Sequence, residues 1–161
     1  MRKILDKISI AIVCYNSSFK LKEFIQKIPN ETKILIIDNS KDYLLKKIFG
    51  SKKNVKIYFK KNDGYGSSIN FAAKKIKTPY FLVAQPDVTG IKKSSLIKFY
   101  KYAKEIKDKF SVIGPHFLNA SKSGHFQTNL KYKIKEIHNV HGATMFFNKK
   151  IFNRNKGFDK N

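Results

Sequence analysis

Four short apolar runs, each stopped by a cluster of polar turn formers, constrain this chain more than any other feature. Ile8-Ser9-Ile10-Ala11-Ile12-Val13-Cys14 gives way to Tyr15-Asn16-Ser17-Ser18, and Lys33-Ile34-Leu35-Ile36-Ile37 to Asp38-Asn39-Ser40. Val55-Lys56-Ile57-Tyr58-Phe59 is followed by Asn62-Asp63-Gly64-Tyr65-Gly66, and Tyr80-Phe81-Leu82-Val83-Ala84 by Gln85-Pro86-Asp87. Near-continuous apolar runs of this length suit strands buried on both faces of a parallel sheet.

Helical spacing fills the intervals. Ser17 or Ser18 can cap a segment in which Phe19, Leu21, Phe24, Ile25 and Ile28 recur before Pro29. A short amphipathic stretch runs from Tyr43 to Phe49 and stops at Gly50. Ser67 or Ser68 opens a helix carrying Ile69, Ala72, Ala73 and Ile76, which Thr78-Pro79 ends. A further helix over about Ser94 to Lys107 presents Leu96, Ile97, Tyr100, Ala103 and Ile106. Strand and helix alternating four times predict an α/β fold with a doubly wound, mostly parallel sheet. Beyond it, Phe110–Ile113, Gly124–Leu130, Tyr132–Ile137 and Ala143–Phe147 read as shorter strands, a smaller β-rich C-terminal part of the same domain.

Composition excludes several classes. Hydrophobic residues make up 42% of the chain, enough for a packed core. No apolar run reaches the roughly 20 residues of a membrane span. The N-terminal residues lead straight into a strand without a signal peptide's apolar core. With a single cysteine, Cys14, no internal disulfide framework is possible. A cytoplasmic location is the default expectation. The net charge of +23 is carried almost wholly by lysine, with arginine only at Arg2 and Arg154. Specific nucleic-acid readers favour the planar arginine fork, so nucleic acid is an unlikely partner on composition. Lysine scattered with asparagine and isoleucine reads first as compositional drift; attraction to an anionic membrane surface is a second reading, and a basic module binding nucleic acid or anionic membrane without catalysis a third.

In an open parallel sheet, ligands bind outside the carboxyl ends of the strands. Each polar cluster above is also what a turn requires, but all four fall on the same rim. There Asp38 can accept hydrogen bonds from a base or ribose, and Gly64 and Gly66 permit close backbone approach. The helix after Gly66 offers free N–H groups to an anion. The Gly64-Tyr65-Gly66 turn is not a dinucleotide fingerprint, because Ile69 replaces the third glycine and the turn follows strand three. No Walker-A sequence and no Gly-x-Ser-x-Gly elbow occur. Asp87, held at the rim by an apolar strand and a proline, is placed to bind Mg²⁺ or Mn²⁺ beside a substrate's phosphates. His138 and His141 lack an apparent third zinc ligand, and Cys14 reads as a core residue.

These segments, in this order, resemble the family 2 glycosyltransferases. The likeness rests on Ile12-Val13-Cys14-Tyr15-Asn16, Ile36-Ile37-Asp38-Asn39-Ser40, Asn62-x-Gly64-x-Gly66-x-x-x-Asn70 and Tyr80-x-x-x-x-Gln85-Pro86-Asp87. His141-Gly142-Ala143 through Phe147 and Lys156-Gly157-Phe158-Asp159 extend it, with most similarity to the rhamnosyltransferase-like branch. The resemblance implies a GT-A fold over residues 1–161. Residues to about 109 would bind the nucleotide sugar, and 110–161 would begin an acceptor-side half. It implies a nucleoside-diphosphate-sugar donor, a saccharide or lipid-linked acceptor in cell-surface polysaccharide synthesis, and an inverting reaction. Tyr15, Asn16, Asp38 and Asn39 would line the nucleotide pocket. Asn62, Gly64, Gly66, Asn70 and Gln85 would shape the sugar side, Asp87 would bind the metal, and Asp159 would be the catalytic base. Gln85 departs from the acid or asparagine that is commoner there. The chain ends soon after Asp159, where the family normally continues, so a truncated, inactive transferase is the remaining expectation.

Overall fold

The computed structural model describes residues 2–115, 136 and 139–159. A short helix α1 (Arg2–Leu5) precedes β1 (Ile8–Cys14), where the sequence points to direct entry into the strand. There follow α2 (Ser18–Gln26), β2 (Lys33–Asp38), α3 (Leu44–Phe49), β3 (Val55–Phe59), α4 (Tyr65–Lys75) and β4 (Tyr80–Ala84). The remaining elements are α5 (Lys93–Glu105), β5 (Val112–Ile113), β6 (Thr144–Asn148) and α6 (Lys149–Arg154). The strands form one six-stranded sheet in the order β3-β2-β1-β4-β6-β5. Pairings among β1 to β4 are parallel, whereas β6 is antiparallel to both β4 and β5. The C-terminal strands thus extend the parallel sheet itself. The segments read as strands at Gly124–Leu130 and Tyr132–Ile137 fall outside the described residues.

The side-chain period of two divides the apolar runs between two cores. Ile8, Ile10, Ile12 and Cys14 of β1, Ile34 and Ile36 of β2, and Tyr80, Leu82 and Ala84 of β4 face one side. They meet Leu21, Phe24 and Ile25 of α2, Leu45 and Phe49 of α3, and Leu96, Phe99 and Ala103 of α5. Ala11, Val13, Leu35, Ile37, Phe81 and Val83 face the other side, against Ile69, Ala72 and Ala73 of α4 and Phe152 of α6. Helices on both faces are what a strand without polar alternation demands. All seven residues of β1 are buried, and its one hydroxyl, Ser9, pairs with Thr78 at 2.9 Å.

Three expectations shift. Helix α4 starts at Tyr65 instead of Ser67 or Ser68, because Gly64, at φ +92°, supplies the non-helical turn of an N-cap. Strand β5 is two residues long, shorter than the apolar stretch Phe110–Ile113. Phe19 follows the helical period of α2 yet is 76% exposed.

Aromatic stacking dominates the first core. Phe146 is fully buried, with its ring 5.5 Å from Tyr80, 5.2 Å from Phe99 and 6.2 Å from Phe110. Phe146→Ala is expected to cost roughly 3–5 kcal/mol in urea unfolding. The exposed Phe19→Ala should stay within about 0.5 kcal/mol of wild type. Equal losses would mean that the two rings have been assigned to the wrong environments.

Candidate functional site

A cleft of about 350 Å³ opens at the carboxyl ends of β1 to β4. It lies where the strand order reverses around β1, with β2 on one side and β4 on the other. Val13 and Cys14 form its floor; Tyr15, Ser17 and Lys20, Asn39, Asn62 and Tyr65, and Gln85, Pro86 and Asp87 form its walls. The four polar clusters of the sequence therefore converge. Of the anticipated site residues, Tyr15, Asn39, Asn62, Gln85 and Asp87 line the cleft.

The others have different employment. Asp38 is fully buried and its carboxylate is already engaged. It accepts hydrogen bonds from the Ser40 hydroxyl at 2.6 Å, the Asp42 backbone N–H at 2.7 Å and the Cys14 thiol at 3.6 Å. Burial, with Asp38 beside it, pushes the Cys14 thiol far up and keeps it a donor. Ser40 Oγ in turn accepts the Asn16 N–H at 2.9 Å, so Asn16, at φ +48°, ties the β1 loop to the β2 loop. The sequence suggests Asp38 as a partner for a bound base; in the structure its carboxylate organises the loops around the cleft.

Gly66 and Asn70 both meet the C-terminal segment. A Cβ on Gly66 would stand 2.9 Å from Phe158 Cβ, so the close approach this glycine permits is to the C-terminal segment. The Asn70 carboxamide donates to Phe158 O at 2.8 Å and accepts from Phe158 N at 2.9 Å. Gly157, at φ +77°, leaves room for this, since a Cβ there would stand 2.3 Å from Asn70 Oδ1. The three residues clasp the segment that carries Asp159, which is itself exposed and does not line the cleft.

Three cleft residues escape the sequence reading: Ser17, Lys20 and Tyr65. Lys20 is one lysine among many, and only its place in the first turn of α2 aims it at the strand ends. Tyr65 donates to Gly142 O at 2.9 Å and joins the α4 start to the loop before β6. Burial pushes its phenol up to about 12, against a hydrogen bond from Gln85 and with the help of the Asp87 carboxylate. The phenol thus stays a neutral donor at any ordinary pH. Its one signal in the sequence is an aromatic set between two glycines. On the β3–α4 loop, Lys60 Nζ lies 2.6 Å from Asp63, and this hydrogen bond holds the exposed carboxyl below its usual range. Asn62 Oδ1 accepts the Gly64 N–H at 3.4 Å and steadies the same turn. Asn39 and Ser68, 2.9 Å apart, link β2 to α4.

Among the described residues no cluster of three His, Cys, Asp or Glu side chains could hold a metal by itself. Asp87 and Gln85, one carboxylate and one amide oxygen on the cleft wall, fit instead a cation completed by substrate phosphates. His141 Nδ1 accepts the Ala143 N–H at 3.2 Å, and His138 lies outside the described residues.

A mostly parallel α/β sheet flanked by helices, with a polar cleft at its switch point and an acid after β4, is an architecture of the GT-A kind. The model of glycosyl transferase family 2 matches residues 9–156, and the chain belongs to that family. In structure it is similar to the mannosyltransferase PcManGT from Pyrobaculum calidifontis in complex with GDP-Man and Mn²⁺. That likeness has a TM-score of 0.76 at 10% identity over 96% of this chain and 48% of the other. It is also similar to S. aureus TarS 1-349, with a TM-score of 0.67 at 21% identity over 96% and 50%. TarS 1-349 in complex with UDP-GlcNAc gives 0.66 at 20% identity over 93% and 47%. At these identities the likeness shows the fold, and the chain spans about half the length of these structures. No curated protein matches it in sequence.

The clasp makes a prediction independent of any ligand. Asn70→Ala leaves the Phe158 amide without its acceptor, a loss of about 1–3 kcal/mol locally. Hydrogen exchange at Phe158 should quicken by roughly tenfold or more, and Gly157→Ala should do the same by steric means. Unchanged exchange in both variants would show that the segment is held by something else.

Proposed function

We propose that this chain is the donor-binding part of an inverting glycosyltransferase acting in cell-surface polysaccharide synthesis. It would move a sugar from a nucleoside diphosphate to a hydroxyl of a saccharide or lipid-linked acceptor. One observation carries the reading: in a family 2 chain, four strand ends deliver Tyr15, Asn39, Asn62 and Asp87, with Lys20 opposite, to a single cleft. The structural neighbours in complex with GDP-Man and UDP-GlcNAc support a nucleotide-sugar ligand for such a cleft. The finer likeness to the rhamnosyltransferase-like branch belongs to the same proposal.

Each residue then has a task. Tyr15 offers a ring face and Asn39 an amide to the nucleoside, on loops that Asp38, Ser40 and Asn16 hold still. Lys20 brings an ammonium to the diphosphate, and Asn62 and Gln85 offer amides to the sugar and phosphates. Asp87 would hold Mg²⁺ or Mn²⁺, which when bound neutralises charge on the diphosphate. In the transfer, an acceptor oxygen forms a bond to the anomeric carbon while the bond to the diphosphate breaks, its electron pair leaving with the nucleotide. The acceptor proton passes to a carboxylate, for which we propose Asp159. Residues to about 109 make the donor half, and those from 110 begin the acceptor side. We place the reaction in the cytoplasm, against the inner face of a membrane. No helix among the described residues is long and apolar enough to cross one.

Nucleoside diphosphates at millimolar concentration should raise the melting temperature, and Mn²⁺ should enlarge the shift. Asp87→Ala should abolish the metal-dependent part and keep the rest. An absent shift in folded protein would sink the donor reading, and a metal effect surviving in D87A would remove Asp87 from the site. Asp159→Asn should lower turnover roughly a hundredfold or more while leaving the nucleotide shift intact. Retained turnover would assign the base elsewhere.

A further inference from the structure

We propose that the rim formed by the start of α2 and the start of α3 is a docking surface for anionic lipid bilayers, placing the cleft mouth against the membrane. This rests on the membrane-side reading of the proposed function and names the surface that would serve it. Among the described residues, the large hydrophobic side chains left exposed are Tyr15 at 58%, Phe19 at 76%, Tyr43 at 65% and Leu44 at 37%. They are not scattered. Tyr15 and Phe19 flank the β1–α2 loop, and Tyr43 and Leu44 open α3. The two loops are bound together by Asn16 N–H to Ser40 Oγ at 2.9 Å and by the Asp38 carboxylate, which takes Ser40 and the Asp42 N–H.

The chemistry of this rim is that of a headgroup layer. Lysines 20 and 22 stand on α2, Lys46 and Lys47 on α3 and Lys41 on the loop before α3, against Glu23 of α2 and Asp42 of that loop. Asp42 is partly occupied, because its Oδ1 accepts the Leu44 N–H at 3.1 Å. Lys46 Nζ lies 5.9 Å from the Tyr43 ring and 5.3 Å from Phe59, a cation resting on aromatic faces. Aromatic residues at an interface, with lysine stems lying along apolar surface and heads in water, partition to the boundary of a bilayer. Each nearby lysine adds attraction to anionic lipid. Charge also decides against a second copy of this chain, since two molecules of net charge +23 repel at any lysine-rich face. Tyr15 belongs to the rim and to the cleft, so docking would hold the cleft where a lipid-linked acceptor presents its headgroup.

The test is vesicle co-sedimentation without nucleotide, using phosphatidylcholine vesicles with and without a minority of phosphatidylglycerol. The chain should bind only the phosphatidylglycerol vesicles, less as salt rises. F19S/L44S leaves the charge unchanged and avoids the cleft, yet should weaken partitioning roughly tenfold or more. K22E/K41E should do the same, while K74E/K101E, an equal charge change on α4 and α5, should weaken it much less. Thermal melts of each variant confirm that these exposed sites leave the fold intact. The proposal is overturned by three results: no binding to phosphatidylglycerol vesicles, F19S/L44S binding like wild type, or K74E/K101E losing as much as K22E/K41E. A wild-type dimer dispersed by F19S/L44S would also overturn it, in favour of self-association. None of these results touches the nucleotide-dependent melting shift, so the donor reading stands or falls separately.

Discussion

The rest of the structure depends on a strand that must be covered on both faces and both edges. β1 has no exposed residue, so it needs helices above and below and a ladder on each side. β2 and β4 provide the ladders, and their register sets the shape of the rim. Cys14 stands opposite Asp38, and Asp38 opposite Phe59, so three strands end level. β4 does not, because Ala84 pairs with Ile12, two residues before the end of β1. Gln85 then turns to the other side, donating its N–H to Ala143 O at 3.0 Å. Beyond that point β1 and β4 share no ladder, and the chain leaves a crevice with Cys14 on its floor and Gln85 to Asp87 along one wall.

The second requirement is that a carboxylate be buried beside this crevice. An ionised carboxylate away from water is costly unless its oxygens are satisfied. Asp38 meets the condition with two oxygen- or nitrogen-bound donors and the Cys14 thiol. Because one of these donors, Ser40, also accepts from Asn16, the carboxylate fixes the β1–α2 and β2–α3 loops beside the cleft.

These contrasts explain how far the sequence is legible. The four parallel strands and the rim can be read from it: β1, β2 and β4, buried on both faces, leave apolar runs that few other structures produce, and the half-buried edge strand β3 keeps a shorter one. The uses of the polar residues are less so. Asparagine, aspartate and glycine serve turns, ligands and tertiary clasps with the same chemistry. Asn39 lines the cleft while Asn70, equally well placed in a motif, holds the backbone of Phe158. Gly64 provides a positive φ, whereas Gly66 provides space for a ring from the far end of the chain, a fact only the tertiary structure contains. Phe19 misleads for a related reason: periodicity marks the side of a helix but not where the protein beneath it ends. Lys20 is hidden by abundance, since its type carries no information in a chain so rich in lysine.

The clasp also ties the two ends of the site together. α4 begins at Tyr65, which lines the cleft, and its next residue, Gly66, is covered by Phe158. One turn later Asn70 holds the same segment through its backbone. The turn that shapes the donor cleft and the platform that seats Asp159's neighbour are therefore one helix turn. The segment that carries the C-terminal acid is in this way packed on the same helix whose first residue lines the cleft.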